Sequence, residues 1–170
     1  LLPLDQDAFV RLYVSLLCQT FAPLGYDPKA FAQGLKVGIE TMYQNDGSCT
    51  NEAAFWNAFT AIVGDKVREE MPLFDAFYRD TFAGAKAACG FNPRAKETVD
   101  AIRAMGYRIA LATNPLFPAV ATESRIRWAG FTPEDFELVT TYESSTTCKP
   151  NPAYFLEVAN RLGVAPEECL

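Results

Sequence analysis

The apolar positions divide this chain into two halves. From Asp7 to about Phe82 they recur three and four residues apart, the spacing that gathers them on one face of a helix. The first run, about Asp7 to Phe21, places Phe9, Leu12, Tyr13, Leu16 and Leu17 on one stripe and stops near Pro23 and Gly25. Asp27 before Pro28 reads as N-cap and first residue of a second helix, which carries Phe31, Leu35, Ile39 and Met42 and stops at Asn45-Asp46-Gly47. Thr50 or Asn51 caps a third helix through Phe55, Trp56, Phe59 and Ile62 to Gly64. A fourth follows Pro72 through Leu73, Phe74, Phe77 and Tyr78. Helices joined by short loops predict a small antiparallel bundle with most of these aromatics in its core.

Around Gly84 to Asn92 the pattern changes to alternating helix and strand, which sets a domain boundary there, with small-residue hinges at Gly84-Ala85 and Gly90. Asn92-Pro93 starts a helix that Gly106 ends. The apolar run Tyr107 to Thr113 then fits a buried parallel strand. A helix over Leu116 to Ala129, a strand over Glu137 to Thr141 and a helix from Asn151-Pro152 to Gly163 follow, and Cys169-Leu170 reads as the start of a third strand. This order predicts an α/β unit, a parallel sheet covered by helices on both faces. Ligands of such sheets bind beyond the carboxyl ends of the strands, here Thr113-Asn114 and the segment from Tyr142 to Asn151.

Composition narrows the chemistry. With 49% hydrophobic residues in 170 the chain can bury a core, and a net charge of −6 with only fifteen Lys and Arg argues against a nucleic-acid partner. No run approaches the roughly 20 apolar residues of a membrane span, and no basic start marks a signal peptide, so a soluble cytoplasmic protein is expected. The five cysteines are widely spaced without a Cys-x-x-Cys pair, which predicts reduced thiols rather than a zinc site or disulfide framework. There is no histidine, which removes Ser-His-Asp triads, Cys-His pairs and His-based metal sites together. No cysteine has an arginine six residues on, and no Gly-x-x-x-x-Gly-Lys loop is present.

Two strand ends carry the remaining candidates. Thr113 supplies a hydroxyl and Asn114 a backbone N–H and an amide just before Pro115, a set able to cradle an anionic oxygen; an ordinary Thr-Asn-Pro turn has the same composition. Lys149, in Cys148-Lys149-Pro150-Asn151-Pro152, stands just before a helix N-terminus, where two positive features favour bound phosphate; a solvated loop lysine is the plainer alternative. Asp5 and Asp7 form an Asp-x-Asp pair, but no apolar strand precedes them and no Gly-Thr follows. They fit a helix N-cap and first-turn acid instead.

Taken as a pair, Leu111-Ala112-Thr113-Asn114-Pro115 and Cys148-Lys149-Pro150-Asn151-Pro152 resemble motifs two and three of the haloacid dehalogenase superfamily, and the helical half resembles that family's inserted cap. The resemblance covers essentially the whole chain. It implies a Rossmann-like core over 85–170 and a helical-bundle cap over 5–84. The implied activity is a magnesium-dependent phosphatase of a small phosphorylated metabolite, working through an aspartyl-phosphate, with Thr113 and Lys149 catalytic and Thr113, Asn114 and Lys149 binding phosphate. A phosphomutase, a dehalogenase or a non-catalytic binding protein are the alternatives it leaves open. In that family the nucleophile and general acid/base are two aspartates at the end of the first strand. They are expected before Leu1, and the metal-binding acidic motif after Leu170, so no numbered residue is assigned as nucleophile or metal ligand and Mg2+ is expected to be held mainly from outside. Which of Tyr26, Tyr43, Trp56 or Arg68 faces the cleft, and the oligomeric state, are left open.

Overall fold

A computed structural model describes residues 1–170, a mostly helical α/β arrangement with a small parallel sheet. The helical half contains α1 (Gln6–Phe21), α2 (Pro28–Tyr43), α3 (Asn51–Val63) and α4 (Met71–Arg79). Their starts are set locally: the side chains of Asp5, Asp27 and Thr50 accept hydrogen bonds from the N–H groups of Ala8, Ala30 and Ala53, satisfying donors that a helix leaves open in its first turn. Asp5 is therefore a helix cap and Asp7 a first-turn acid. No helix is long and apolar enough to cross a membrane.

Each helix buries most of the stripe its spacing predicts, although Ile62, near the end of α3, is exposed. Phe9, Tyr13, Leu17 and Phe21 of α1 face inward, as do Phe31, Leu35 and Met42 of α2 and Phe55, Trp56 and Phe59 of α3. Rings meet mostly edge to face or tilted, with Phe21 and Phe74 centred 4.2 Å apart. Helices α2 and α3 approach closely because α2 presents Gly34 and Gly38. A Cβ on Gly38 would stand 2.6 Å from Cδ2 of Phe55.

The second half follows with α5 (Arg94–Ala104), β1 (Ala110–Leu111), α6 (Ala119–Trp128), β2 (Leu138–Val139) and α7 (Pro152–Leu162). The strands are parallel, with Ala110 opposite Leu138 and Leu111 opposite Val139. Both are much shorter than the apolar runs 107–113 and 137–141 suggest, because β1 and β2 have only each other to pair with and neither has a second neighbour to extend the ladder. Cys169-Leu170, expected to open a third strand, lies past a 3-10 helix (Pro166–Glu168) and pairs with nothing. Helix α6 starts three residues later than expected: Pro118 disfavours helical backbone at Phe117, and the Glu143 carboxylate accepts the Ala119 N–H at 2.8 Å in place of a local cap.

The predicted hinge at Gly84-Ala85 falls inside a 3-10 helix, Thr81–Ala88, in which Ala85 is fully buried and Gly84 lies against Leu16. The chain passes between its halves beside Gly90, the other small-residue position, whose N–H donates to Pro3 O at 2.7 Å next to the antiparallel pairing of Leu4 with Cys89. The helical core continues across this neck, since Ala121, Tyr142 and Cys148 belong to the same buried cluster as Phe9 and Phe82. A smaller cluster around Val99, Ile126 and Phe136 fills the space between α5, α6 and the sheet.

Gly38→Ala should destabilise the protein by roughly 1–3 kcal/mol, because overpacking against Phe55 outweighs the roughly 1 kcal/mol that alanine gains in a helix. Urea unfolding of the variant measures this, and an unchanged or raised midpoint would contradict the close α2–α3 contact.

Candidate functional site

The parallel pairing of β1 and β2 brings both candidate loops to one sheet edge. The Lys149 ammonium donates to Ala112 O at 2.9 Å, immediately before Thr113, and the Lys149 N–H donates to Asn114 Oδ1 at 2.8 Å. Thr113, Asn114 and Lys149 therefore form one group, all three partly buried. The ammonium also stands 5.9 Å from the ring centre of Tyr154 in the first turn of α7. No carboxylate lies within ion-pair distance of Lys149; every ion pair of the chain is formed elsewhere. One of its three donors is used by Ala112, which leaves two for another acceptor.

The backbone of Thr113 is held from behind. Its carbonyl accepts from Tyr154 Oη and from Thr140 Oγ1, each at 2.7 Å, and those two hydroxyls are 3.0 Å apart. Tyr154 and Thr140 are almost wholly buried, and burial raises the Tyr154 phenol above its ordinary value, so it stays a donor. In a trans peptide the C=O and the next N–H point in opposite directions. Capturing the Thr113 carbonyl on the α7 side thus turns the Asn114 N–H the other way, and no protein acceptor takes it. The Asn114 side chain does not add to that cradle. Its Oδ1 holds the Lys149 backbone and its Nδ2 donates to the Tyr43 hydroxyl at 3.3 Å.

A fourth residue, which the sequence pattern did not single out for this role, ties the loops to the helical half. With Thr50 as the cap of α3, the Asn51 side chain is free to turn inward, and it is fully buried. Its Nδ2 faces Pro115 O at 3.2 Å, Thr147 O at 3.4 Å and Cys148 Sγ at 3.4 Å, while its Oδ1 accepts from Asn45 Nδ2 at 2.9 Å. The first N–H groups of α3 serve the same purpose, Asn51 donating to Ser145 O and Glu52 to Tyr142 O. Thr140 and Tyr154 escaped notice too. Thr140 carries the only signal available in sequence, a hydroxyl at the end of an apolar run.

Cys148 is no nucleophile here, since burial pushes its thiol up to about 11 and keeps it protonated at neutral pH. Of the aromatic and basic cleft candidates, Tyr43 touches Asn114 and Trp56 lines a neighbouring cavity. Tyr26 packs on Phe21 and Phe31, and Arg68 reaches Asn57 Oδ1 at the surface.

Comparison with known proteins gives the family of this mostly helical α/β chain. The chain belongs to the haloacid dehalogenase-like hydrolases, whose family model matches residues 20–170. Over 92 residues, 54% of the chain, it is 30% identical to a protein of Bacillus subtilis (strain 168) named "Putative phosphatase YhcW". That match covers 40% of the relative's length.

Asn51→Ala should cost on the order of 3 kcal/mol in chemical denaturation, since it strips a buried donor from two carbonyls. Asn51→Asp, of equal size, should be no milder, because a carboxylate would face those same carbonyls; retention of wild-type stability by either variant would contradict the role described. A second expectation concerns alkaline pH. The folded Cys148 thiol holds its proton more tightly than the unfolded one, whose ordinary value is 9.0, so its contribution is complete below pH 9 and is lost as pH rises through about 11. Melting temperatures of Cys148→Ala measured across that window should fall less steeply than those of the unaltered protein, and parallel curves would speak against it.

Proposed function

We propose that this protein is a phosphatase acting on a small phosphorylated metabolite, with Thr113, Asn114 and Lys149 as its phosphate-binding group and Thr113 and Lys149 as its catalytic residues. The observation that carries the reading is the unpaired Lys149 ammonium, fixed on Ala112 O beside an Asn114 N–H turned away from the captured Thr113 carbonyl. Donors fixed before the substrate arrives lower the energy of charge that builds during phosphoryl transfer, because they need not reorganise. In this reading the Thr113 hydroxyl and Asn114 N–H hold one phosphoryl oxygen, and Lys149 offsets the negative charge shared by nucleophile and transferring group. The relative's name, a putative phosphatase, supports this chemistry over the mutase and dehalogenase alternatives.

In this reading the attacking carboxylate comes from outside residues 1–170: Asp5 caps α1 through the Ala8 N–H, and Asp7 lies in the first turn of that helix. Magnesium belongs to the same reading, but these residues do not form a site for it. The nearest backbone oxygens, of Ala112 and Thr113, are already held by donors, and no three His, Cys, Asp or Glu side chains gather anywhere in the chain. The helical half, residues 5–84, serves in this reading as a cap over a Rossmann-like core, excluding water and choosing the substrate.

In the protein together with its flanking sequence, Lys149→Ala should lower turnover of a generic phosphate ester about a hundredfold, the equivalent of roughly 3 kcal/mol of transition-state stabilisation, with the fold intact. Asp5→Ala should instead cost roughly 1 kcal/mol of stability and leave turnover per folded molecule nearly unchanged. Steady-state kinetics and thermal melts on both separate the roles: normal turnover in Lys149→Ala, or a stable and inactive Asp5→Ala, overturns the assignment.

A further inference from the structure

Between the helical half and the two candidate loops lies a cavity of about 370 Å3, within the size range of small-molecule sites. Fifteen of its twenty lining residues are hydrophobic, and Leu35, Trp56 and Phe74 form deeply buried parts of its wall. Two of its polar groups face each other rather than the space: the hydroxyls of Tyr13 and Tyr78 share a hydrogen bond at 2.8 Å. The buried Trp56 Nε1–H has no acceptor. Charged lining residues, among them Lys36 and Glu40, are exposed and pair across one helical turn at 3.8 Å, which puts them at the rim. Water gains few hydrogen bonds in such a space, whereas a hydrocarbon group gains its whole transfer free energy there.

The cavity adjoins the anion-binding group through two connections. Tyr43 lines it and receives the Asn114 amide at 3.3 Å, and Leu116, Phe117 and Pro118, which directly follow the Thr113-Asn114-Pro115 loop, form part of its wall. We propose that this cavity receives the non-phosphate end of the substrate and that this end is a hydrocarbon group, so that the substrate class is alkyl or aryl phosphate esters rather than sugar phosphates. The inference rests on the phosphatase reading of Thr113, Asn114 and Lys149. A polyhydroxylated leaving group would lose its hydration in the cavity and find only a few polar groups in return, among them the Trp56 Nε1–H and the Tyr43 and Tyr142 hydroxyls, an unfavourable exchange against fifteen hydrophobic residues. An alkyl chain loses nothing comparable.

Calorimetric titration of the protein together with its flanking sequence, using methyl-, butyl- and hexylphosphonate, which carry an anion and a graded tail, tests the idea. Affinity should rise about fourfold per added methylene, the fold-change expected for burying each in an apolar site. Ala32→Phe, which fills the cavity from a partly exposed position on α2, should flatten that series and leave methylphosphonate affinity unchanged. Lys149→Ala should weaken every member by the same factor and keep the slope. Methylphosphonate binding with a flat series in the unaltered protein overturns the hydrocarbon pocket while leaving the anion site standing. Failure of methylphosphonate to bind at all overturns the anion site and this inference together, and a slope that survives Lys149→Ala without any loss of affinity shows that tail and anion do not belong to one substrate site.

Discussion

A buried amide at the head of α3 governs how the two halves of this molecule fit. The Asn51 side chain is out of contact with water and has to satisfy its donors within the protein; it does so on the carbonyls of Pro115 and Thr147 and the thiol of Cys148, each belonging to a loop that leaves the sheet edge. Asn45 fixes its orientation by donating to the Oδ1. The cost of leaving such a group unpaired exceeds what an ordinary surface contact contributes, so the spacing of the two loops is set from the helical half. The Asn114 to Lys149 hydrogen bond then finishes the alignment from within.

Charge is arranged with the same economy. The ion pairs of the chain lie at its surface, where Lys36–Glu40 or Arg127–Glu123 contribute little in high dielectric. Lys149 is kept out of any such pair, and its ammonium rests on a neutral carbonyl and near an aromatic face. A cation so placed keeps its full attraction for an incoming anion. Glu143 shows the opposite use, spending its carboxylate on the open N–H at the start of α6 and thereby removing a competing anion site beside the loop.

Local features of this fold were legible in sequence and distant ones were not. Asp5, Asp27 and Thr50 cap helices because the partner N–H lies three residues away, so the residue types alone carried the information. The bringing together of Thr113 and Lys149 could be foreseen from strand order. Asn51 could not: as one of two adjacent cap candidates it was indistinguishable from Thr50, and only the choice of Thr50 released its side chain. Thr140 and Tyr154 hold the Thr113 carbonyl from 27 and 41 residues away, a relation no window of sequence contains. The strand lengths failed for a related reason. An apolar run records that a segment avoids water, and the number of neighbours it pairs with is written elsewhere.

The narrow neck where Leu4 pairs with Cys89 and Pro3 with Gly90 has a consequence for how such a protein can diverge. Because the chain enters and leaves the helical half through adjacent hydrogen-bonded residues, the neck itself sets no length for the segment beyond it. The neck imposes no selection on what lies beyond it. Asn51 does, since a replacement lacking a buried donor at that place would leave Pro115 and Thr147 with dry, unanswered carbonyls. Variation in this architecture is therefore free at the neck and constrained where the halves meet, by the Asn51 amide, the first N–H groups of α3 and the buried cluster that joins Phe9 and Phe82 to Ala121 and Tyr142.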